Sequence, residues 1–330
     1  MSRRVPFAVV ALLCLIIGLA TASLAVGSTS IDPGTVWAAL RGSATPEVDA
    51  VVNGLRVPRT VLGVVAGAAL GAAGALTQAH TRNPVADPGL IGVTSGASLG
   101  VVVAMLHLGV TSPAGYVWFA VGGAVLAGAV VLWLASRVTA FEPMTTVVLT
   151  GAVLSALLGS ATSAVLLLDR RAMKSFQMWS IGTTSGRDLT VLVDVAPVLL
   201  LGLLTAVVNL PSLAGLELGD HLASSLGRNA VRDRFVGLSA VVLLAGGATA
   251  LCGTLGFIGL LAPHAARRLV GARPISVVIT SALAGAAVLL AADVLGRVVL
   301  TTSEVSVGIM LALLGAPLFV VLARRLGSVR

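Results

Sequence analysis

The chain has 330 residues, 57% of them hydrophobic and 10% charged, with a mean hydropathy of +1.05. A soluble domain carries about 25% charged residues, so this chain cannot cover a water-facing surface with charge and reads as an integral membrane protein. A soluble enzyme, a disordered tail and a disulfide scaffold are excluded. The net charge of +8 does not point to nucleic acid, because the basic residues sit in short loops between apolar runs.

A helix crosses the bilayer with about 20 mostly apolar residues, so the gaps between charges mark the crossings. Val5 to Ile31 is free of charge, and so is Thr60 to Thr81. Pro88 to Ser136 is charge-free but too long for one span, and Thr111-Ser112-Pro113-Ala114-Gly115 divides it in two. Pro143 to Leu168 is the fifth span and Val195 to Leu216 holds the sixth. As one helix, Phe235 to Ala266 would run about 48 Å against a hydrocarbon core of about 30 Å. Gly253-Thr254-Leu255-Gly256 offers a turn, so one span is expected to end near Cys252 and a short returning helix near Val270. Pro274 to Ala292 and Val305 to Ala323 complete ten spans.

Charge asymmetry tests this count. With the N-terminus inside, ten spans place 13 of the 21 Lys and Arg residues inside and 8 outside. Reading Phe235 to Ala266 as one span reverses the numbers, and positive residues favour the cytoplasmic side. The expected fold is therefore all-α and polytopic, a single transmembrane domain over 1–330 with about ten helices and both termini cytoplasmic. The outer loop with Arg170, Arg171, Lys174 and Arg187 breaches the rule. Arg3, Arg4 and Ala20-Thr21-Ala22 imitate a secretory signal, but the apolar stretch after Arg4 continues past Ala22 to about 20 residues, against about 7–15 for a signal, and many spans follow. An uncleaved first helix is expected.

Cys14 and Cys252 lie within apolar runs and read as buried small hydrophobes. Gly63, Gly67, Gly71 and Gly74 recur at three- or four-residue spacing, which lets helices pack closely in lipid. Gly92, Gly96 and Gly100, with Thr94, Ser95 and Ser98 between them, either pack tightly or line a mildly polar pathway. The chain has no phosphate-binding G-x-x-x-x-G-K-[ST] and no H-E-x-x-H. Gly96-Ala97-Ser98-Leu99-Gly100 spells G-x-S-x-G, but inside a charge-free apolar run rather than at the strand-to-helix turn a nucleophile elbow needs. His80, His107, His221 and His264 form no ligand pair at helical spacing. An intramembrane enzyme would lack a catalytic cluster. An ion-coupled secondary transporter, the rival from another class, commonly places acidic residues at the midplane, and none falls mid-span here. Transport is the expectation.

Arg56-Val57-Pro58-Arg59 precedes the second span on the outside. Its two arginines, three apart, share nearly one face, suited to interfacial snorkelling or to docking a partner's carboxylate. Thr81 to Gly89 is a rigid inner turn with two prolines. Leu216 to Arg234 is the longest inner connection, where Asp220 can cap a short helix and Gly227 can end it. Leu222, Ala223 and Leu226 would share its apolar face, which must be buried on headgroups or a partner. Asp293 and Arg297, four apart near the outer end of the ninth span, can neutralise each other.

Taken together these segments resemble the FecCD family of permeases in ABC importers for iron-siderophores and cobalamin. Arg56-Val57-Pro58-Arg59 resembles its R-[LV]-P-R, and Arg82 to Gly89 its R-N-P-L-A-D-P-x, with Val85 in place of Leu. Gly92 to Ala97, Leu218-Gly219-Asp220 through Ser225-Leu226-Gly227, and Gly256 to Leu260 with Pro263-His264-Ala265-Ala266-Arg267 continue the match. Asp293, Arg297, Glu304 to Gly308 and Gly315-Ala316-Pro317 complete it. The resemblance implies a non-enzymatic transport subunit in the cell's inner membrane. It implies pairing with a second permease subunit, identical or paralogous, around an axis along which substrate passes. The further partners are membrane lipid, two ABC ATPase subunits and an extracytoplasmic binding protein. ATP and Mg would be bound by the ATPase and no cofactor by this chain. By resemblance, Arg56, Arg59 and Arg297 dock glutamates of the binding protein. Leu218, Gly219, Asp220, Leu222, Ser225, Leu226 and Gly227, within the connection of about 216–234, couple to the ATPase, and Met144 and Thr145 fall at the cytoplasmic gate. A ferric siderophore is the first-choice cargo, with cobalamin and haem as alternatives. His264, in a family motif, is expected to make a structural hydrogen bond.

Overall fold

The computed structural model describes residues 4–27, 30–110, 112–137, 143–217, 229–300 and 303–327, and the regular structure among them is helical. Helix α1 (Arg4–Ala25) leads to two short outer helices, α2 (Pro33–Leu40) and α3 (Pro46–Val51). A π-turn at Val52–Arg56 then runs into α4 (Val57–Thr81). Helices α5 (Val93–His107), α6 (Pro113–Arg137) and α7 (Pro143–Leu166) follow, then the short α8 (Arg170–Ser180) and the long α9 (Leu189–Glu217). The chain ends with α10 (Ala230–Cys252), α11 (Ile258–Val270), α12 (Pro274–Val298) and α13 (Val307–Gly327).

Every expected crossing is a helix, but three are shorter than a full span. Among the described residues, seven helices are long and apolar enough to cross a membrane (α1, α4, α6, α7, α9, α10 and α12). The apolar stretches of α5 and α13 are shorter, and α11 has 13 residues. The break before α11 falls where expected. Helix α10 ends at Cys252, and Gly253 takes φ 78°, a conformation that favours glycine. Irregular backbone at membrane depth is tolerated only where it is buried in protein and satisfied. Here the Cys252 carbonyl accepts from Thr183 N at 2.7 Å, and the Thr254 hydroxyl donates to the Ser180 carbonyl. Residues 253–257 carry the chain from the end of α8 toward the inner loop, where Gly259 packs on Asp87 and Pro88.

The core is α4, α10 and α12, with α1, α7 and α9 outside it. Helices α4 and α12 approach until backbones touch. A Cβ on Gly67 would overlap the backbone of Gly285 and Ala286, and one on Gly71 the Ser281 carbonyl. The glycine stripe is thus a packing surface, and Gly96 and Gly100 lie against Gly123 and Phe119 of α6. Cys252 is buried as expected, but Cys14 is not: it lies exposed on the outer side of α1, because that helix presents most of its surface to lipid.

The charge pattern does not mark α2, α3 or α8. Asp169 caps α8 by accepting from Arg171 N at 2.7 Å, and Ala172 and Trp179 are buried on one face. Arg170, Arg171 and Lys174 stay exposed on the other. Arg187, the fourth charge in breach of the asymmetry, is no surface charge. It is buried, donates to the Ala250 carbonyl at 3.2 Å and lies 6.0 Å from the Tyr116 ring.

Candidate functional site

The three arginines expected to dock a partner converge at the outer end of the bundle. The first two part company at once. Arg56 turns toward α1, where its Nη1 donates to the carbonyls of Leu24 at 2.7 Å and Ala25 at 2.9 Å. The last carbonyls of a helix lack intrahelical donors and carry its negative pole, so Arg56 caps α1 from 31 residues away. Arg297 does the same from α12: Nη1 donates to Ser23 O at 2.7 Å and Val26 O at 3.2 Å, and Nη2 to Ser23 Oγ at 2.9 Å. A Ser23–Thr60 hydroxyl contact of 2.7 Å closes the junction of α1 with α4.

Arg59 points instead at α12. Its Nε donates to both oxygens of Asp293, at 3.0 and 3.1 Å, and its Nη2 lies 2.9 Å from Oδ1. The remaining Nη1 reaches Glu304 Oε2 at 2.6 Å. Asp293 also accepts from Arg297 Nη2 and from the Thr184 hydroxyl at 2.7 Å. The expected self-pairing of Asp293 with Arg297 is therefore present as one part of a larger network. Asp293 is only 2% exposed and fully committed, whereas the Glu304 side chain is 37% exposed.

Arg56, Arg59, Arg297 and Glu304 line one cleft with Ser185 and Gly186. Three guanidinium groups face two carboxylates, so the cleft keeps one excess positive charge and suits an acidic group. Its volume of about 140 Å³ is below the roughly 300–1,000 Å³ of ligand pockets, so it admits a side-chain carboxylate rather than a ferric chelate. The cluster also bears on the break after Cys252. If Phe235 to Ala266 were one span, Asp293 and Arg297 would lie on the face opposite Arg59, and the 2.9 Å Arg59–Asp293 pair excludes that.

At the inner end, the side chain of Asn209 joins three helices. Its Oδ1 lies 2.9 Å from His80 Nε2 of α4, and its Nδ2 donates to Ser212 Oγ at 2.9 Å and to Asp233 O of α10 at 2.6 Å. Nearby, Arg267 donates to Gln78, whose Nε2 donates to Gly259 O at 3.3 Å. The expected coupling residues Leu218, Gly219, Asp220, Leu222, Ser225, Leu226 and Gly227 lie outside the described residues; α9 leads into that segment, and α10 leaves it after a cap in which Asn229 accepts from Arg232 N at 3.0 Å. The two gate candidates open α7 and differ in burial. Met144 is buried against α6 and α10, and Thr145 is exposed. His264 is half-buried on α11, and among the described residues no three His, Cys, Asp or Glu side chains gather as metal ligands.

The sequence reading missed Glu304 as a partner of Arg59, and Ser23, Thr60 and Thr184 as members of the network. The only local signal was the i, i+4 spacing of Asp293 and Arg297; the Arg59 contacts span 234 and 245 residues.

The same architecture occurs in a solved structure described as a metal-chelate type ABC transporter in an inward-facing conformation. The TM-score is 0.80 at 27% identity, covering 97% of this chain and 99% of that one. The chain is 38% identical over 319 residues to the ferric enterobactin transport system permease protein FepD of Escherichia coli (strain K12), covering 96% of this chain and 95% of that protein. It is 37% identical over 326 residues to the Fe(3+)-citrate import system permease protein YfmD of Bacillus subtilis (strain 168), covering 98% and 96%. The FecCD transport family model matches residues 13–325. That match spans both the outer arginine cluster and the inner junction, and the chain belongs to the FecCD transport family.

Proposed function

We propose that this chain is a permease subunit of an ATP-driven importer that brings ferric chelates, siderophores first among them, across the inner membrane. It would pair with a second permease subunit and work with two ABC ATPase subunits and an extracytoplasmic binding protein. ATP and Mg would be bound by the ATPase chains. The observation that carries the reading is the outer cleft of Arg56, Arg59 and Arg297 with its one excess positive charge, on a chain of this family. Complementary charge steers association and fixes register between partners. An acidic side chain of the binding protein would enter the cleft, and residues 218–227 at the other end would seat on the ATPase.

In this reading ATP binding closes the ATPase pair, and the inner ends of α9 and α10 pass that motion to the bundle. Met144 and Thr145, where α7 begins, would lie at the inner gate. Reversing a two-state population from 1:99 to 99:1 takes about 5.5 kcal/mol of differential binding, which nucleotide and binding protein together can supply.

The test is uptake in a strain lacking this gene, with labelled ferric siderophores and labelled cobalamin supplied side by side. Loss of iron uptake alone is the expected result, restored by the intact gene. Loss of cobalamin uptake alone would overturn the cargo and keep the importer. Loss of neither would overturn the cargo assignment.

A further inference from the structure

Arg59 divides its guanidinium between two carboxylates of different character. Its Nε and Nη2 edge is held by Asp293, which is 2% exposed and also holds Arg297 and Thr184. No incoming group can replace Asp293 without stranding those buried partners. Its Nη1 is held by Glu304 at 2.6 Å. Glu304 is 37% exposed, lines the cleft, and makes this one ion pair among the described residues.

We propose that Glu304 is the displaceable occupant of the docking cleft: its carboxylate covers the Nη1 edge of Arg59 in the undocked permease, and a carboxylate side chain of the binding protein takes its place. The proposal rests on the docking reading above and adds where the partner's carboxylate lands and what it displaces. The exchange is chemically even, because one carboxylate replaces another on the same donor. Glu304 is the solvent-facing member of the pair, and the incoming carboxylate restores the counter-charge on the 10%-exposed Arg59, so the displacement costs little. The backbone beside Glu304 need not move. Val305 N donates to Gly296 O at 2.9 Å and Gly308 N to Gly182 O at 3.2 Å, so a change of side-chain rotamer is enough. The cleft's small volume assigns the incoming carboxylate to a protein side chain rather than to a free anionic chelate.

The test uses the assembled importer in nanodiscs of zwitterionic lipid, titrated with the binding protein that supports its uptake, at low and high salt. Glu304→Gln and Glu304→Ala both remove the competitor. Either should lower the dissociation constant about fivefold at low salt, and the gain should shrink at high salt. Unchanged or weakened binding in the two variants, with wild-type binding still salt-sensitive, overturns the role of Glu304 and leaves arginine docking standing. Wild-type binding indifferent to salt removes the docking reading itself, and the proposal with it.

Discussion

Asp293 balances two guanidinium groups inside the protein, whereas Glu304 balances one at its edge. Removing them should therefore have unequal consequences. Asp293→Ala leaves Arg59 and Arg297 buried without their shared counter-charge, and breaking a buried pair from one side costs about 3–5 kcal/mol. Glu304→Ala removes a pair whose carboxylate side is open to solvent, at about 1 kcal/mol, and leaves Arg59 its Asp293 partner. Thermal unfolding of the purified protein in detergent should show a large drop for the first and a small one for the second. Equal drops would mean that the network does not hold the outer end together. The same contacts make a Glu swap at Arg56 and Arg59 a poor docking test, because it would first detach the α1 cap and the α12 pair. The arginines themselves were legible in the sequence, from an R-V-P-R at the outer end of a span, and so was the pair at i, i+4. Their partners were not, because a side chain's reach across 234 residues of chain has no local periodicity to betray it.

Two glycines separate packing from mere abundance at the level of the helix. Gly71 of α4 sits where a Cβ would overlap the Ser281 carbonyl of α12, while Gly18 of α1 has nothing within 4 Å of its would-be Cβ. Backbone cannot retreat as a flexible side chain can, so Gly71→Val must push α4 from α12. Overpacking of this kind costs about 1–3 kcal/mol. Gly18→Ala should stay within about 0.5 kcal/mol of wild type. Melting midpoints of the two variants check this, and a tolerated Gly71→Val would show that the α4–α12 contact has slack. Most helices were legible because charge cannot be left in lipid, so the gaps between charges mark the spans. The turn after Cys252 was legible from the excess length of its run, the glycines within it and the charge asymmetry on either side. Helices α2 and α3 were not, being too short to show a period. Helix α8 did carry a signal in Ala172, Phe176 and Trp179 at i, i+4 and i+7, hidden among the arginines and lysine that made the segment look like a plain loop.

The two ends of the molecule are joined by shared helices. Helix α4 starts in the arginine cluster and ends at His80, and α10 runs from Asp233 beside Asn209 to the Cys252 carbonyl that holds the Thr183–Thr184 loop on Asp293. A change at either end therefore has a packed route to the other, through backbones too close to slide independently. Asn209 is the narrowest point of that route. It is 2% exposed and ties α9 to α10 across the 218–228 segment, and both to α4. Asn209→Ala would leave its buried hydrogen-bond partners unsatisfied, at about 1–3 kcal/mol, and let α9 and α10 move apart. If that segment receives the ATPase stroke, the assembled importer carrying Asn209→Ala should still hydrolyse ATP but move less substrate per ATP. If the binding protein docks on the arginine cluster, its affinity should not change, since that cluster is at the far end. Uptake and phosphate release measured together in proteoliposomes give the ratio. A ratio equal to wild type, in a variant that folds and assembles, would mean that the stroke enters the bundle without passing through this junction.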